Sequence, residues 1–348
     1  MAESKLGSLG KSLKVPMVQE LVKENLVGIP SRYIRRDLDH HHHHHHHHTL
    51  SSSLQIPVID MHNLFHQESV DSELDKLHNA CKQWGFFQLI NHRVESAVVE
   101  NMKAEVKGFF DMAIEEKMKL SQEEGEVEGY GQLFVLSEEQ KLDWADLFYM
   151  ITLPTSIRNP NLIAKLPPSF RAAIEAYSRE VEVVAVKILK AITKTLGMKA
   201  EEMEAVFGGA MQSMRMTYYP PCPQPELAIG LSPHSDVSTI TILLQVNDTD
   251  GLQIRKDGAW IPVSPLPDAF IVNIGDALEI VSNGAYRSIE HRACVNGDRE
   301  RMSVATFVHP KVDGEVGPAA SLVGPETPAK FGRIGAAEYL KGIFFQGA

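Results

Sequence analysis

Cysteine is scarce in this chain. Cys81, Cys222 and Cys294 are the three in 348 residues, an odd number in a long sequence, which excludes the disulfide framework of small secreted domains. Positive charge is also in deficit, with 34 Lys and Arg against 45 Asp and Glu and a formal net charge of −11. That balance offers no basic face to nucleic acid or to an anionic membrane, and its consequence is solubility. Nowhere do about 18 apolar residues run together, as a bilayer-spanning helix needs. The opening residues, Met1 to Ser8, lack the apolar run of a secretory leader. Together these absences predict a reducing, cytoplasmic setting, a small-molecule partner rather than nucleic acid or membrane, and a monomer.

What is present is apolar material enough for a sizeable core, 43% of residues, in one large domain or two. Pro16 to Glu24 reads as a short helix. His40 to His48 form a run of nine histidines. Such a run can capture metal, but no carboxylate or surrounding fold fixes its geometry, so it reads as a linker. A strand at Ile56–Ile59 follows, with Asp60 able to cap what comes next. Ser72 to Trp84 is an amphipathic helix whose stripe is Leu74, Leu77, Cys81 and Trp84. Phe86 to Asn91 is a strand, and Glu95 to Met112 a helix with Val98, Met102, Val106 and Phe109 inward. Gly125 to Gly131 reads as a flexible loop, at the mouth of a site or merely on the surface. The longest helix repeats apolar residues from Phe170 to Leu196, with Ser169 as its cap and Gly197 as its stop. It is a buttress.

From Gln212 the period becomes two. Arg215, Thr217 and Tyr219 share one strand face, and Asp257-Gly258, Asn283-Gly284 and Asn296-Gly297 signal hairpins between short strands, as a jelly roll has. The stretch Leu231 to Leu244 reads as one strand in which His234 and Asp236 point the same way. A second strand, Tyr286 to Val295, points His291 with Ile289 and Ala293. Two imidazoles and a carboxylate with open positions are the donor set of non-haem Fe(II) oxygenases, although a strand histidine alone is more often structural. A third strand sets Arg301, Ser303, Ala305 and Phe307 on one face. An inward guanidinium is expensive without an anion to hold, and with a hydroxyl beside it suits the far carboxylate of 2-oxoglutarate. Phe307 could stack on an aromatic substrate or simply fill the core.

His234-Ser235-Asp236, His291 and Arg301-Met302-Ser303, preceded by Tyr218-Tyr219-Pro220-Pro221-Cys222-Pro223, resemble the plant 2-oxoglutarate/Fe(II)-dependent dioxygenases, closest to the group of senescence-related, norcoclaurine-synthase-like and opiate O-demethylase proteins. The likeness extends to Trp84–His92, Gly129–Gly131 and Asp268–Asp276. It implies a mixed α/β (α+β) fold, a double-stranded β-helix or jelly roll with supporting helices and the long helix packed on the sheet. It divides the chain into an N-terminal extension with the His-rich linker (1–55), a helix and strand region (56–205), a catalytic core (206–312) and a C-terminal segment (313–348). It makes His234, Asp236 and His291 ligands of Fe(II), gives Tyr219 a part in holding 2-oxoglutarate with Arg301 and Ser303, and implies O2 as oxidant and ascorbate as reductant. Relatives usually have Gly at Arg93, so the turn there is expected to differ, and often Asn at Thr217, which is left out of the site. They usually continue beyond the last residues here, so a more open site with looser coupling is expected. The implied reaction is hydroxylation or O-demethylation of an alkaloid, flavonoid or phenylpropanoid, with succinate and CO2 released. The alternatives are a non-oxidative condensation, in which no succinate forms, and a metal-holding cupin-type binding protein.

Overall fold

Alternation along the strands gives the central sheet two faces of opposite character. The computed structural model describes residues 12–24, 26–36, 55–123, 126–132 and 135–346; the histidine run at His40 to His48 lies outside them. The strands of its two larger sheets are β1 (Val58–Asp60), β2 (Phe86–Ile90), β3 (Gly129–Gly131), β4 (Asp146–Leu153), β5 (Met211–Tyr219), β6 (Leu231–His234), β7 (Ile240–Gln245), β8 (Leu252–Lys256), β9 (Ala259–Pro262), β10 (Phe270–Ile274), β11 (His291–Ala293) and β12 (Arg301–His309), and Glu315–Val316 pairs with Ile334–Gly335 apart from them. Eight of them form a sheet in the order β1-β2-β10-β7-β12-β5-β4-β3, and β6-β11-β8-β9 form a smaller one. Among these described strands only β1 and β2 pair in parallel. This is the mixed α/β jelly roll with supporting helices.

On β5 and β12 the even-numbered residues Met214, Met216, Met302, Val304 and Val308 join the main core, as do Ile240, Ile242 and Leu244 of β7. That face is dry, covered by Val70–Gln83, Ser96–Asp111 and the long helix Pro168–Leu196, which buries Phe170, Ile174, Tyr177, Val181, Ile188 and Ile192. The opposite face turns toward the smaller sheet. There Phe86, Ile271, Leu252 and Ile254 seal one end of the sandwich, and the odd-numbered residues of β5 and β12 line what remains.

Several local expectations are corrected. Leu231 to Leu244 is two strands, because the chain leaves the smaller sheet after His234 and enters the larger at Ile240; Asp236 lies in the crossover. The second histidine strand is only His291–Ala293. Ser169 does not cap the long helix: Pro167 is at the cap position, and the Ser169 hydroxyl donates to Glu105. Gly197 does end it, left-handed at φ 66°. Val99 and Phe110 are buried beside Met102, Val106 and Phe109, whereas Val98 is only partly covered. Gly129–Gly131 is an edge strand rather than loop, while residues 124 and 125 are outside the described set. Arg93 accepts the left-handed conformation after all, at φ 64°, with its guanidinium donating to His62 Nδ1 at 2.8 Å. Of the hairpin signals only Asp257-Gly258 joins paired strands, β8 and β9. Asn283-Gly284 turns the chain after the helix Asp276–Val281, and Asn296-Gly297 lies where it passes from one sheet to the other.

Candidate metal centre and its pocket

β6 and β11 are antiparallel neighbours, and their register sets His234 directly opposite His291. The ring centroids are 4.2 Å apart. Each imidazole is turned by its own backbone: His234 Nδ1 donates to the Ser232 carbonyl at 2.8 Å and His291 Nδ1 to the Ile289 carbonyl at 3.1 Å. Both Nε2 lone pairs are thereby aimed at Asp236 Oδ1, 3.5 Å from His234 and 3.7 Å from His291. The three donor atoms lie within 4.8 Å of one another.

Asp236 reaches this position because the crossover is tightly held. The Asp276 amide donates to the Asp236 carbonyl at 2.7 Å, and the Ala277 amide to the Ser238 carbonyl at 3.2 Å. Gly275 packs so closely that a Cβ there would sit 2.0 Å from the Ser238 carbonyl oxygen. The second oxygen of Asp236 is claimed by the larger sheet: Thr241 Oγ1 donates at 2.6 Å and Asn273 Nδ2 at 2.8 Å. A further support backs His234, since Ser232 is held by Asp143 and by Arg35 from the N-terminal segment. Outer-shell bonds of this kind orient ligands and fix tautomers.

The electrostatics prepare the same donors. Burial alone would raise the Asp236 carboxyl, but the two imidazoles and the Thr241 hydroxyl outweigh it and hold the group well below the usual carboxylate range. Burial, with His234 alongside, pushes His291 down to about 4. At neutral pH the site therefore presents an ionised carboxylate and a neutral His291, with His234 Nε2 buried and lacking a hydrogen-bond partner. Two nitrogens and one oxygen on one side of a point fit ferrous iron and leave the other positions open.

Beside this centre, Arg301, Ser303 and Phe307 project from β12 and Thr217 and Tyr219 from β5, all into one pocket. Arg301 is almost fully buried, and burial lowers its pKa. It donates to Ser303 Oγ at 3.3 Å and Gln245 Oε1 at 3.0 Å, lies over the Tyr219 ring at 5.1 Å, and keeps Nε without a partner. A buried cation with only neutral hydrogen-bond partners has its donors free for a carboxylate, so the residues fit 2-oxoglutarate as well as they fit iron. Reading the sequence missed four contributors. Thr241 and Asn273 brace Asp236, Thr217 is buried in the pocket, and Arg215 stacks over Phe307 at 5.4 Å with its Nε unpartnered. Period two had put Arg215 and Thr217 on the face of Tyr219, which was the available signal.

The pocket at the centre is small, about 30 Å³, room for roughly one water. An aromatic substrate can enter only if Phe307 and Arg215 give way. A larger cavity of about 430 Å³ lies elsewhere, beside His92, Lys103, Asn247 and Leu266, away from the converging donors.

Comparison with known proteins agrees with this chemistry. Residues 210–310 match the 2OG-Fe(II) oxygenase superfamily, and residues 56–166 match the N-terminal region of the non-haem dioxygenases in morphine synthesis. The chain is 57% identical over 344 residues to an oxoglutarate-dependent flavonoid 7-O-demethylase of Ocimum basilicum, covering 99% of this chain and 90% of that protein. It is 48% identical over 336 residues to the thebaine 6-O-demethylase of Papaver somniferum, covering 95% and 92%. The solved structure of JOX2 in complex with 2OG, Fe and JA superposes with a TM-score of 0.85 at 35% identity, covering 97% of this chain and 96% of that one.

Proposed function

Given that the chain belongs to the plant-type 2-oxoglutarate/Fe(II)-dependent dioxygenases, an oxidoreductase family, we propose that it removes the methyl group of a methoxylated aromatic metabolite, a flavonoid first among them, or hydroxylates such a compound. The observation that carries the reading is the convergence of His234, Asp236 and His291 beside the buried guanidinium of Arg301. The relative at 57% identity is a flavonoid O-demethylase, and this supports the substrate class.

His234, Asp236 and His291 hold the ferrous ion. Arg301 and Ser303 grip the far carboxylate of 2-oxoglutarate by charge-assisted hydrogen bonds, and the Tyr219 ring packs beneath the guanidinium. Bound iron and 2-oxoglutarate supply the oxidation by O2, with succinate and CO2 as co-products and ascorbate as reductant for idle metal. The protein's share is placement and dryness. Leu231, Leu243, Leu252 and Ala293 wall the pocket with apolar surface. Phe307 offers a face to an aromatic ring, and the unpartnered Arg215 Nε donates to an oxygen on it. A methyl ether carbon that gains oxygen becomes a hemiacetal, which breaks to a phenol and formaldehyde. The inward Arg301 argues against a storage role, which has no use for a buried cation. The three free cysteines suit a reducing cytoplasm, where the enzyme works as a monomer.

The test is incubation of the protein with Fe(II), 2-oxoglutarate, ascorbate and air against a panel of methoxyflavones and methoxylated alkaloids, read by mass spectrometry. Loss of one methylene or gain of one oxygen, with stoichiometric succinate, is expected. A product formed without succinate would establish the condensation reading instead.

A further inference from the structure

The wall that carries Arg301, Ser303 and Phe307 continues beyond them. His309 is the next residue on that face of β12, about 7 Å farther along by strand rise, and its ring centroid is 6.1 Å from that of Phe307. On β5, Ser213 is the cross-strand partner of Phe307 and shares the face of Arg215. Tyr149 of β4 pairs with Arg215 and lies against Ser213. The Ser213 hydroxyl and His309 Nε2 are 2.8 Å apart. All three side chains are buried, with His309 4% exposed, yet His309 Nδ1 has no hydrogen-bond partner. A buried polar atom left unsatisfied is costly. Neither the metal centre nor the 2-oxoglutarate pocket uses this one.

We infer that His309 and Ser213 form a subsite, just beyond the Phe307 end of the small pocket and opened to it when Phe307 and Arg215 give way, that receives a free hydroxyl on the part of the aromatic substrate remote from the reacting carbon. In the orientation that satisfies the chain, His309 Nε2–H donates to Ser213 Oγ, the Ser213 hydroxyl donates to the Tyr149 oxygen, and His309 Nδ1 accepts from the substrate hydroxyl. The 6.1 Å between the Phe307 and His309 rings suits a two-ring molecule: with one ring laid on Phe307 after Arg215 has turned aside, the next ring or its substituent comes beside His309. Burial keeps the imidazole neutral, so it accepts a proton donor and gains nothing from a methoxy group in the same place. The chamber thus distinguishes two oxygens of one molecule, the ether at the iron and the hydroxyl at His309.

This inference rests on the O-demethylase reading, and the experiment separates the two. Two probes are used, a methoxyflavone bearing one hydroxyl on the ring remote from its methoxy group and the same methoxyflavone without that hydroxyl. Their dissociation constants are measured anaerobically by calorimetry on the protein loaded with Mn(II) and 2-oxoglutarate. The wild type should prefer the hydroxylated probe by about tenfold, the worth of one well-placed buried hydrogen bond. His309→Leu should bring the ratio close to one. If that variant does not fold, Ser213→Ala, which frees the imidazole to turn, should reduce the ratio below about threefold on the same scale. A merely structural role would weaken both probes alike and leave the ratio intact, so a preserved ratio in the folded variants overturns the subsite. Equal affinity of the wild type for both probes overturns it too, with the O-demethylase reading untouched. Binding of neither probe, while 2-oxoglutarate still binds, overturns the methoxyflavone reading and the subsite with it.

Discussion

The two faces of the eight-stranded sheet are made by the same strands and even by neighbouring residues, and they serve opposite ends. On the helix side, Met214, Met216, Ile242 and Val304 are sealed from water and apolar, with Gln212 and Thr306 the polar residues among them, set against Ser178 and Tyr177 of the long helix. On the pocket side, Arg215, Thr217, Thr241, Asn273 and Arg301 are polar or charged and line the site. The first face supplies stability by apolar burial. The second costs stability, since Arg215, Arg301 and His309 keep buried nitrogens without partners, a cost that the ligand recognition proposed for these groups would offset. A β-strand is well suited to this division because successive side chains cannot face the same way.

The contrast breaks most visibly at Asp236. Replacing it with alanine removes the anionic donor of the triad, and succinate formation should fall by roughly 10³-fold or more, as loss of several kcal/mol of metal assistance implies. Coupled 2-oxoglutarate consumption assays read this directly, and iron binding should be lost in parallel. On the dry face Ile242→Ala should do the converse, lowering unfolding free energy in urea by about 3 kcal/mol through lost burial and a cavity. Turnover per folded molecule should stay within about twofold of wild type, because no side chain of the site is touched. If Ile242→Ala abolished turnover in a protein still folded, the two faces would not be separable.

The smallest expected effect sharpens the contrast through pH. Burial lowers His309 from 6.5 to about 4 in the folded protein. Between those values the unfolded chain binds a proton that the folded one refuses, so stability is fully present above the unfolded pKa and is lost as pH falls toward the folded one. From pH 7.5 to pH 5 the loss should be about 2 kcal/mol. His291, itself depressed to about 4, contributes in the same direction. The difference between wild type and His309→Gln cancels that shared part, and should narrow by the stated amount in metal-free urea titrations. An unchanged difference across this range would remove His309 as a buried neutral base.

Much of the site was legible in the sequence, though not always for the right reason. Arg301, Ser303 and Phe307 do share a face through strand alternation, and His291 does point where a ligand would. His234 and Asp236 converge without the strand relation that suggested them, because the chain changes sheets between them. Their meeting depends on Gly275, Asp276 and the register of β6 with β11, which are long-range facts with no local pattern. For the same reason Thr241 and Asn273 were missed: a threonine and an asparagine on separate strands announce nothing until both reach one carboxylate oxygen. The turn pairs Asp257-Gly258 and Asn283-Gly284 have the positive φ values that such residues suggest, but a dipeptide does not say which elements it joins. Arg93 shows the limit of intrinsic preference, since its left-handed backbone accompanies a hydrogen bond to His62.

The three donors are also divided between layers. His234 and His291 belong to the smaller sheet, while the second oxygen of Asp236, the one turned away from the imidazoles, is braced by β7 and β10 of the larger one. An ion gripped by all three would act like a bolt through two plates, tying the halves of the sandwich at the point where the chain crosses between them. Metal supply would then govern how long the molecule survives as well as how fast it works: during iron shortage the unbolted form would be the first to open, and the first to be cleared by proteolysis.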